Sequence, residues 1–395
     1  MNTMTHVKTT ELWIFRFMCG FALFSSISIA IQNIFFILSL LCLIYRLYLK
    51  HDDIKDALSI DKGLLYPFLA WAGGVVLSCI ASAEPIWSFR VFGDYFGYRT
   101  AGLFIVLIAI REKKLLISLL KICFASLTIA GVICVYSFTM TGQRTGGTVP
   151  IMSLAGVLSM LVPMLFLGVL LLKEKQRIIC IIGFVFVLAI TIINGTRGAW
   201  LAIIVAIGTA IMLIIKSWKK RIGFVLAGCL VIGVLMMVPS IANRAYSITN
   251  FSSNRSNMER IYLWQSATNM FKDHPFFGVG FGRFKTEYQG HYILPVAKNP
   301  KLGHAHSNVM QMVGECGAVG TVTFIGWWLL STLYVVRKWF STRNFGYIAF
   351  FVIFTGLLLQ GLTEYNLGNS LVSKLFWFLL AGCLQWMRIA EESRE

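Results

Sequence analysis

The strongest constraint on this chain is a recurring apolar run of about 20 residues, the length that crosses a bilayer's hydrocarbon core as a helix. Such runs recur along nearly the whole sequence. With 57% hydrophobic residues, 13% charged residues and a mean hydropathy of +0.75, the chain is far too apolar for a soluble domain. The pattern predicts an all-α polytopic membrane protein with about twelve transmembrane helices, at 12–30, 33–49, 64–82, 97–110, 115–140, 150–172, 178–194, 197–215, 222–242, 307–336, 345–363 and 370–387. No small-residue cleavage site follows the first run, which leads straight into the second. It is therefore expected to stay as a first helix.

The formal net charge of +18 would suit a nucleic-acid binder, but the placement of the charges argues against one. Most basic residues cluster in short loops between apolar runs, the pattern that holds cytoplasmic loops in place. The N-terminal tail, the loops 46–63, 111–114, 173–177, 216–221 and 337–343, and the C-terminal tail together hold 20 Lys or Arg. The opposite short loops hold only Arg90, Arg99, Arg144 and Arg197. This asymmetry predicts both termini in the cytoplasm and the segment 243–305 outside, since long loops translocate largely regardless of their charge. The chain then divides into residues 1–242 with spans one to nine, 243–305 as one large outer loop with short helices, and 306–395 with spans ten to twelve and a cytoplasmic tail. The nine cysteines are scattered, mostly inside apolar runs, and none form a CxxC pair. Neither a zinc site nor a disulfide framework is indicated.

The outer segment is where chemistry is expected. It holds Arg244, Arg255, Arg260, Lys272, Arg283, Lys285, Lys298 and Lys301 against Glu259, Asp273 and Glu287, and four of the six histidines lie in it or just beyond: His274, His291, His304 and His306. Within it, 256–272 reads as a helix, with Ile261, Trp264, Thr268 and Phe271 at helical spacing and Arg260 one turn from Trp264. Asp273-His274-Pro275 ends that helix. Gly278, Gly280 and Gly282 then give a turn whose backbone can approach a ligand or another element closely.

Under this topology Arg90, Arg99, Arg144, Arg197 and Arg260 share the outer membrane level, where the positive-inside bias disfavours arginine. Arg90 reads as snorkelling to lipid headgroups. Arg197 opens the eighth span, where free N–H groups and the positive end of the helix dipole already favour an anion, and Arg99 has the same place on the fourth. Arginine also recognises phosphate bidentately and stays charged when partly desolvated. An anionic group held at the outer face is the implied ligand.

Gly303-His304-Ala305-His306-Ser307-Asn308 leads into the tenth span. If the two histidines were helical, positions i and i+2 would point apart, which argues against both chelating one metal. A histidine at a helix mouth suits general-base work on a hydroxyl, with Asn308 in place to orient it or a sugar. Glu315, deeper in the tenth span, and Glu364, between the last two spans, are ionisable groups in or at the membrane and so functional candidates.

Taken in order, Thr196-Arg197-Gly198-Ala199-Trp200-Leu201, Arg260 with Trp264, Asp273-His274-Pro275-Phe276-Phe277-Gly278-Val279-Gly280, and His304-Ala305-His306-Ser307-Asn308 with Gly314-Glu315 and Gly317 resemble the bacterial O-antigen ligase/polymerase superfamily. The resemblance implies a GT-C-like membrane fold in the bacterial inner membrane. It also implies transfer of glycan from undecaprenyl diphosphate to a hydroxyl at the periplasmic face, without metal or cofactor. In ligases of this kind the acceptor is a sugar of the lipid A core. The resemblance assigns the diphosphate to Arg197 and Arg260, to which the topology adds Arg99 and Arg144, and the acceptor to His306, assisted by His304. Glu315, Glu364 and Asn308 are supporting candidates. The family's His-x-His-Asn departs here by a serine inserted before Asn308. The ligase is the preferred reading and a polymerase using the same donor its closest alternative. A transporter would place charged or broken helices near mid-membrane, whereas the spans between Leu12 and Pro239 hold few central charges, chiefly Lys121.

Overall fold

The computed structural model describes residues 2–50, 54, 59–250, 253–297 and 299–392. Lys55, Lys298 and Arg394, counted above among the loop charges, lie outside the described residues. The described chain is helical: α1 (Asn2–Phe24), α2 (Ile29–Leu49), α3 (Lys62–Ala81), α4 (Pro85–Phe92), which runs through a π-helical turn into α5 (Ala101–Ala109), α6 (Lys113–Thr141), α7 (Ile151–Leu171), α8 (Glu174–Asn194), α9 (Arg197–Ile214), α10 (Trp218–Met236), α11 (Pro239–Tyr246), α12 (Arg255–Asp273), the single turn α13 (Phe284–Glu287), α14 (Asn308–Thr342), α15 (Phe345–Gln360) and α16 (Ser370–Glu392).

Each predicted span overlaps a helix, though not every one passes a test of length and apolarity. Nine helical segments of the described residues can cross a bilayer, or ten if the bent pair α10–α11 is one span. The two that fail have physical reasons. The first turns of α1 are polar through His6, Lys8 and Glu11, and α15 has 16 residues, so it reaches only about 24 Å. The short fourth span lengthens instead, because α4, its π-helical turn and α5 form one apolar stretch, Pro85–Ala109.

The bundle is packed around α7, α15 and α16, whose residues are mostly buried, while α10 buries none. A 109° bend at Met237-Val238 turns the chain from α10 into α11. There Pro239 occupies the first turn, where its missing N–H costs nothing.

The polar segment that precedes α14 folds onto one end of this bundle. Asn254 caps α12 by accepting from the Asn257 N–H at 3.2 Å, and Pro275 forbids its continuation beyond the His274 N–H, which donates to Met270 O. A small core of Leu263, Ala267, Met270, Val279, Phe284, Tyr288 and Ala305 holds the lobe together. The glycine turn meets an element, not a cavity. It inserts at a break in α14, where Gly317 has φ 60°. The Val279 and Gly280 N–H groups donate to Gly314 O and Glu315 O, and Pro275 O and Phe276 O accept from Ala318 and Val319. The loop thus satisfies the backbone groups that the broken helix releases. Gly278 has to be glycine, because a Cβ there would lie 2.3 Å from the Glu315 carbonyl carbon.

Candidate active site

A cavity of about 250 Å³ opens where α9, α11, α12 and the connections 142–150 and 361–369 meet. Arg144, Arg197, Arg244, Arg260 and Glu364 line it, with Leu201, Ile248 and Trp264 among the apolar wall. Four guanidinium groups face one carboxylate, which leaves a formal excess of three positive charges.

The four arginines are held differently. Arg197 opens α9, and Thr196 before it ends the αL turn at Gly195. Its NH1 donates to Ser247 O at 2.6 Å and Ser247 Oγ at 2.8 Å, and its NH2 to Asn257 Oδ1 at 2.8 Å. Arg260, on the inner face of α12, donates from Nε to Thr363 O at 3.0 Å and from NH1 to Ser256 Oγ at 2.7 Å. Its NH2 lies 3.9 Å from Glu364 Oε2, an ion pair without a hydrogen bond. Burial lowers the Arg260 pKa, Glu364 raises it and Arg144 lowers it further. The group stays cationic because arginine starts so high. Arg244 donates from Nε to Gly195 O at 2.9 Å.

The histidines stand beside this cavity. Ala305 is pinned on both sides: its N–H donates to Gln311 Oε1 at 2.8 Å and its carbonyl accepts from Trp264 Nε1 at 3.0 Å. His304 and His306 are not helical. Ser307 is the N-cap of α14 and His306 precedes it with φ 47°, the left-handed region that a side chain adopts only when its surroundings hold it there. The expectation that the two rings point apart fails for that reason, and they lie 4.2 Å apart. His306 stands before the first turn of α14.

Hydrogen bonding separates their chemistry. The Glu364 carboxylate lies 3.1–3.2 Å from Nδ1 of His306; with Nδ1–H donating to it, Nε2 is the nitrogen that carries the lone pair in the neutral tautomer. The backbone N–H of His306 donates to Nδ1 of His304 at 3.3 Å, which assigns the proton of His304 to Nε2. Burial, then His306, push the His304 pKa down to about 4, Glu364 opposing and Arg260 adding to the fall, so this ring is neutral at pH 7. Burial raises the Glu364 pKa, but the hydrogen bond and electrostatics of His306, with His304 and Arg260, outweigh it and hold the carboxyl below its ordinary range. Glu364 is therefore a carboxylate that touches both His306 and the cation cavity.

Other expected residues are elsewhere. The Arg99 guanidinium is taken by Asp94 Oδ2 at 2.5 Å, by Leu367 O and Gly368 O at 3.0 and 2.9 Å, and by the Tyr95 ring 3.9 Å away. It braces the 361–369 connection and does not line the cavity. Asn308 does the same from α14: its Nδ2 donates to Asn366 Oδ1 and its Oδ1 accepts from the Leu367 N–H, so it does not orient His306. Glu315 is buried with Oε1 accepting from the Phe284 N–H at 2.9 Å, an anchor for the glycine turn. Arg244 went unremarked as a site residue, although it stands two residues past the predicted end of the ninth span. Only the bend at α10–α11 directs it inward.

His304, His306 and Glu364 also bring three ligand atoms within 4.8 Å of one another, a spacing that fits a metal ion. Their surroundings do not favour a divalent cation, because Arg260 already pairs with the carboxylate and three more arginines line the adjoining cavity.

These features define a multi-pass membrane protein with a positively charged cavity and a histidine–carboxylate pair at one end of its helices. Residues 182–325, from within α8 to beyond the kink in α14, match the family model described as O-Antigen ligase, which supports membership of the O-antigen ligase family. That family covers O-antigen ligases and polymerases, membrane proteins acting on lipid-linked glycan and lipid acceptors. The match contains Arg197, Arg244, Arg260, His304 and His306, while Arg144 and Glu364 lie outside it. No curated protein matches the chain.

Proposed function

We propose that this protein is an O-antigen ligase of the bacterial inner membrane, with both termini cytoplasmic. It transfers O-antigen glycan from undecaprenyl diphosphate to a hydroxyl of the lipid A-core oligosaccharide at the periplasmic face. The observation that carries this reading is the contact of two unlike sites through Glu364: an arginine-lined cavity with excess positive charge, and a histidine whose Nε2 is left free. The first suits a diphosphate and the second a hydroxyl proton.

In the reaction, the acceptor oxygen attacks the anomeric carbon from the face opposite the diphosphate, so the configuration inverts. His306 Nε2 takes the hydroxyl proton, and Glu364 stabilises the imidazolium that forms. The glycosyl carbon–oxygen bond breaks with its electron pair passing to the diphosphate. Arg197 and Arg260, with Arg144 at the rim, offset the charge that develops there. A phosphate leaving group needs little protonation, so no general acid is required. Neutral His304 donates through Nε2–H and positions the acceptor. Neither metal nor cofactor enters any step.

Deletion of the gene, with gel analysis of lipopolysaccharide and of undecaprenyl-linked glycan, tests the assignment. A ligase leaves complete but uncapped core lipid while long glycan accumulates on undecaprenyl diphosphate. Core capped by single repeats would instead make the protein a polymerase. A ladder of long chains persisting on lipid A would exclude both as sole activities.

A further inference from the structure

We propose that Arg244, carried on α11, is a diphosphate-contacting residue, and that with Arg144 it supplies the donors that first meet the phosphate oxygens. The proposal rests on the reading of the cavity as a diphosphate site. It follows from which guanidinium nitrogens are already bonded.

Arg197 and Arg260 line the cavity but give most of their donors to protein: only Arg197 Nε and Arg260 NH2, the latter 3.9 Å from Glu364 Oε2, form no hydrogen bond with the described residues. Arg197 gives NH1 and NH2 to Ser247 and Asn257, and Arg260 gives Nε and NH1 to Thr363 and Ser256. To bind phosphate through those nitrogens, either residue has to break charge-assisted hydrogen bonds to Ser247, Asn257, Thr363 or Ser256. Arg244 and Arg144 are in the opposite condition. Arg244 uses Nε on Gly195 O, and its NH1 and NH2 form no hydrogen bond with the described residues. Arg144 is exposed at the cavity rim and forms none with them at all. Both side chains meet at Gly195. Arg144 Cβ and Cδ lie 3.7 Å from the place of a Cβ on that glycine, whose carbonyl Arg244 grips from the other side. Two unoccupied guanidinium ends thus flank the turn that leads into Arg197. A diphosphate has two phosphates, and two free guanidinium forks offer one to each.

The element that carries Arg244 fits this task. α11 follows a 109° bend from α10, the spanning helix that buries no residue, and its far end is tied to Arg197 through Ser247. An arm held at one end can adjust its free guanidinium to an entering anion without disturbing the packed core. Arg197 and Arg260 then act mainly by fixed charge and by holding the walls.

Purified protein in lipid nanodiscs, titrated with farnesyl diphosphate as the probe, tests this. Arg244→Ala and Arg144→Ala are each expected to weaken binding about 10- to 100-fold; Arg144→Ala should leave the melting temperature unchanged, while Arg244→Ala also loses its contact to Gly195 O. Arg197→Ala is expected to lower the melting temperature as well, because its donors hold the wall. Arg244→Gln retains a donor for Gly195 while losing the charge, so it separates a structural role from an anion contact. It should bind as weakly as the alanine variant, and Arg244→Lys should recover little, having lost the bidentate fork. Wild-type affinity in Arg244→Gln, with affinity lost in Arg260→Ala, overturns this inference alone. No binding of the probe by the wild type overturns the diphosphate reading and this inference with it.

Discussion

The histidine hairpin and the arginine cavity touch through one side chain, Glu364, yet they are built on opposite plans. In the hairpin the Ala305 backbone and both Nδ1 atoms are committed, and the two Nε2 atoms form no hydrogen bond with the described residues. Ala305 is bonded on both sides, the His306 backbone is held in a left-handed conformation, and both Nδ1 atoms have partners. In the cavity four cations face one anion, and two guanidinium ends are free of partners among the described residues. The difference matches the two tasks. A proton acceptor works only in one position and one tautomer, whereas an anion site stores its binding energy as unneutralised charge. The hairpin needs no further partner to hold its shape, whereas the cavity would be completed by the diphosphate proposed for it.

Breaking the hairpin should have the largest effect. His306→Ala is expected to lower glycan transfer about 10²–10⁴-fold while leaving donor binding intact, and the wild-type enzyme should keep working in excess EDTA. Transfer retained by the variant, or EDTA inhibition reversed by a divalent ion, would remove His306 from its role as the metal-free base.

Breaking the cavity should cost less for each residue, because its cations share the load. Arg197→Ala and Arg260→Ala are each expected to lose about 2–4 kcal/mol, or roughly 30- to 1000-fold in transfer, with lysine a poor substitute. Near-normal transfer in both, at normal expression, would show that the cavity does not hold the leaving group.

The smallest effect sharpens the comparison, since it concerns stability alone. Unfolded His304 takes up a proton as pH falls below about 6.5, while folded His304 resists until about 4. Over that window the unfolded chain binds more protons, so stability is full above it and declines as pH falls through it. The melting temperature of wild-type protein should therefore drop more steeply between those pH values than that of His304→Gln. Parallel curves would mean that folded His304 is not held neutral.

Much of this molecule was legible in sequence, for a reason tied to its solvent. Hydrocarbon demands helices of fixed length, so apolar runs alone locate the helices, and Asp273-His274-Pro275 marks the end of α12 through the proline. What went unread lies where the chain meets itself at long range. Glu364 reaches His306 across 58 residues. Arg99 reads like Arg197 in sequence, as an arginine at a helix start, yet Asp94 and the carbonyls of Leu367 and Gly368 claim it. The rings of His304 and His306 come together because Trp264 and Gln311 hold Ala305 out of the helix, a contact that no local spacing encodes.

The sequence by itself determined that this is a helical membrane chain, that its polar chemistry is concentrated between Asn243 and Asn308, and which residue types are available there. Tertiary structure alone decided which arginines face a cavity and which brace a loop, and that Glu364 joins the two halves of the site. The physical reason is that helix formation in a bilayer is settled by local composition. Whether a charged side chain is spent on a neighbour or left free for a ligand depends on the bend at α10–α11 and on how α12 docks against α14.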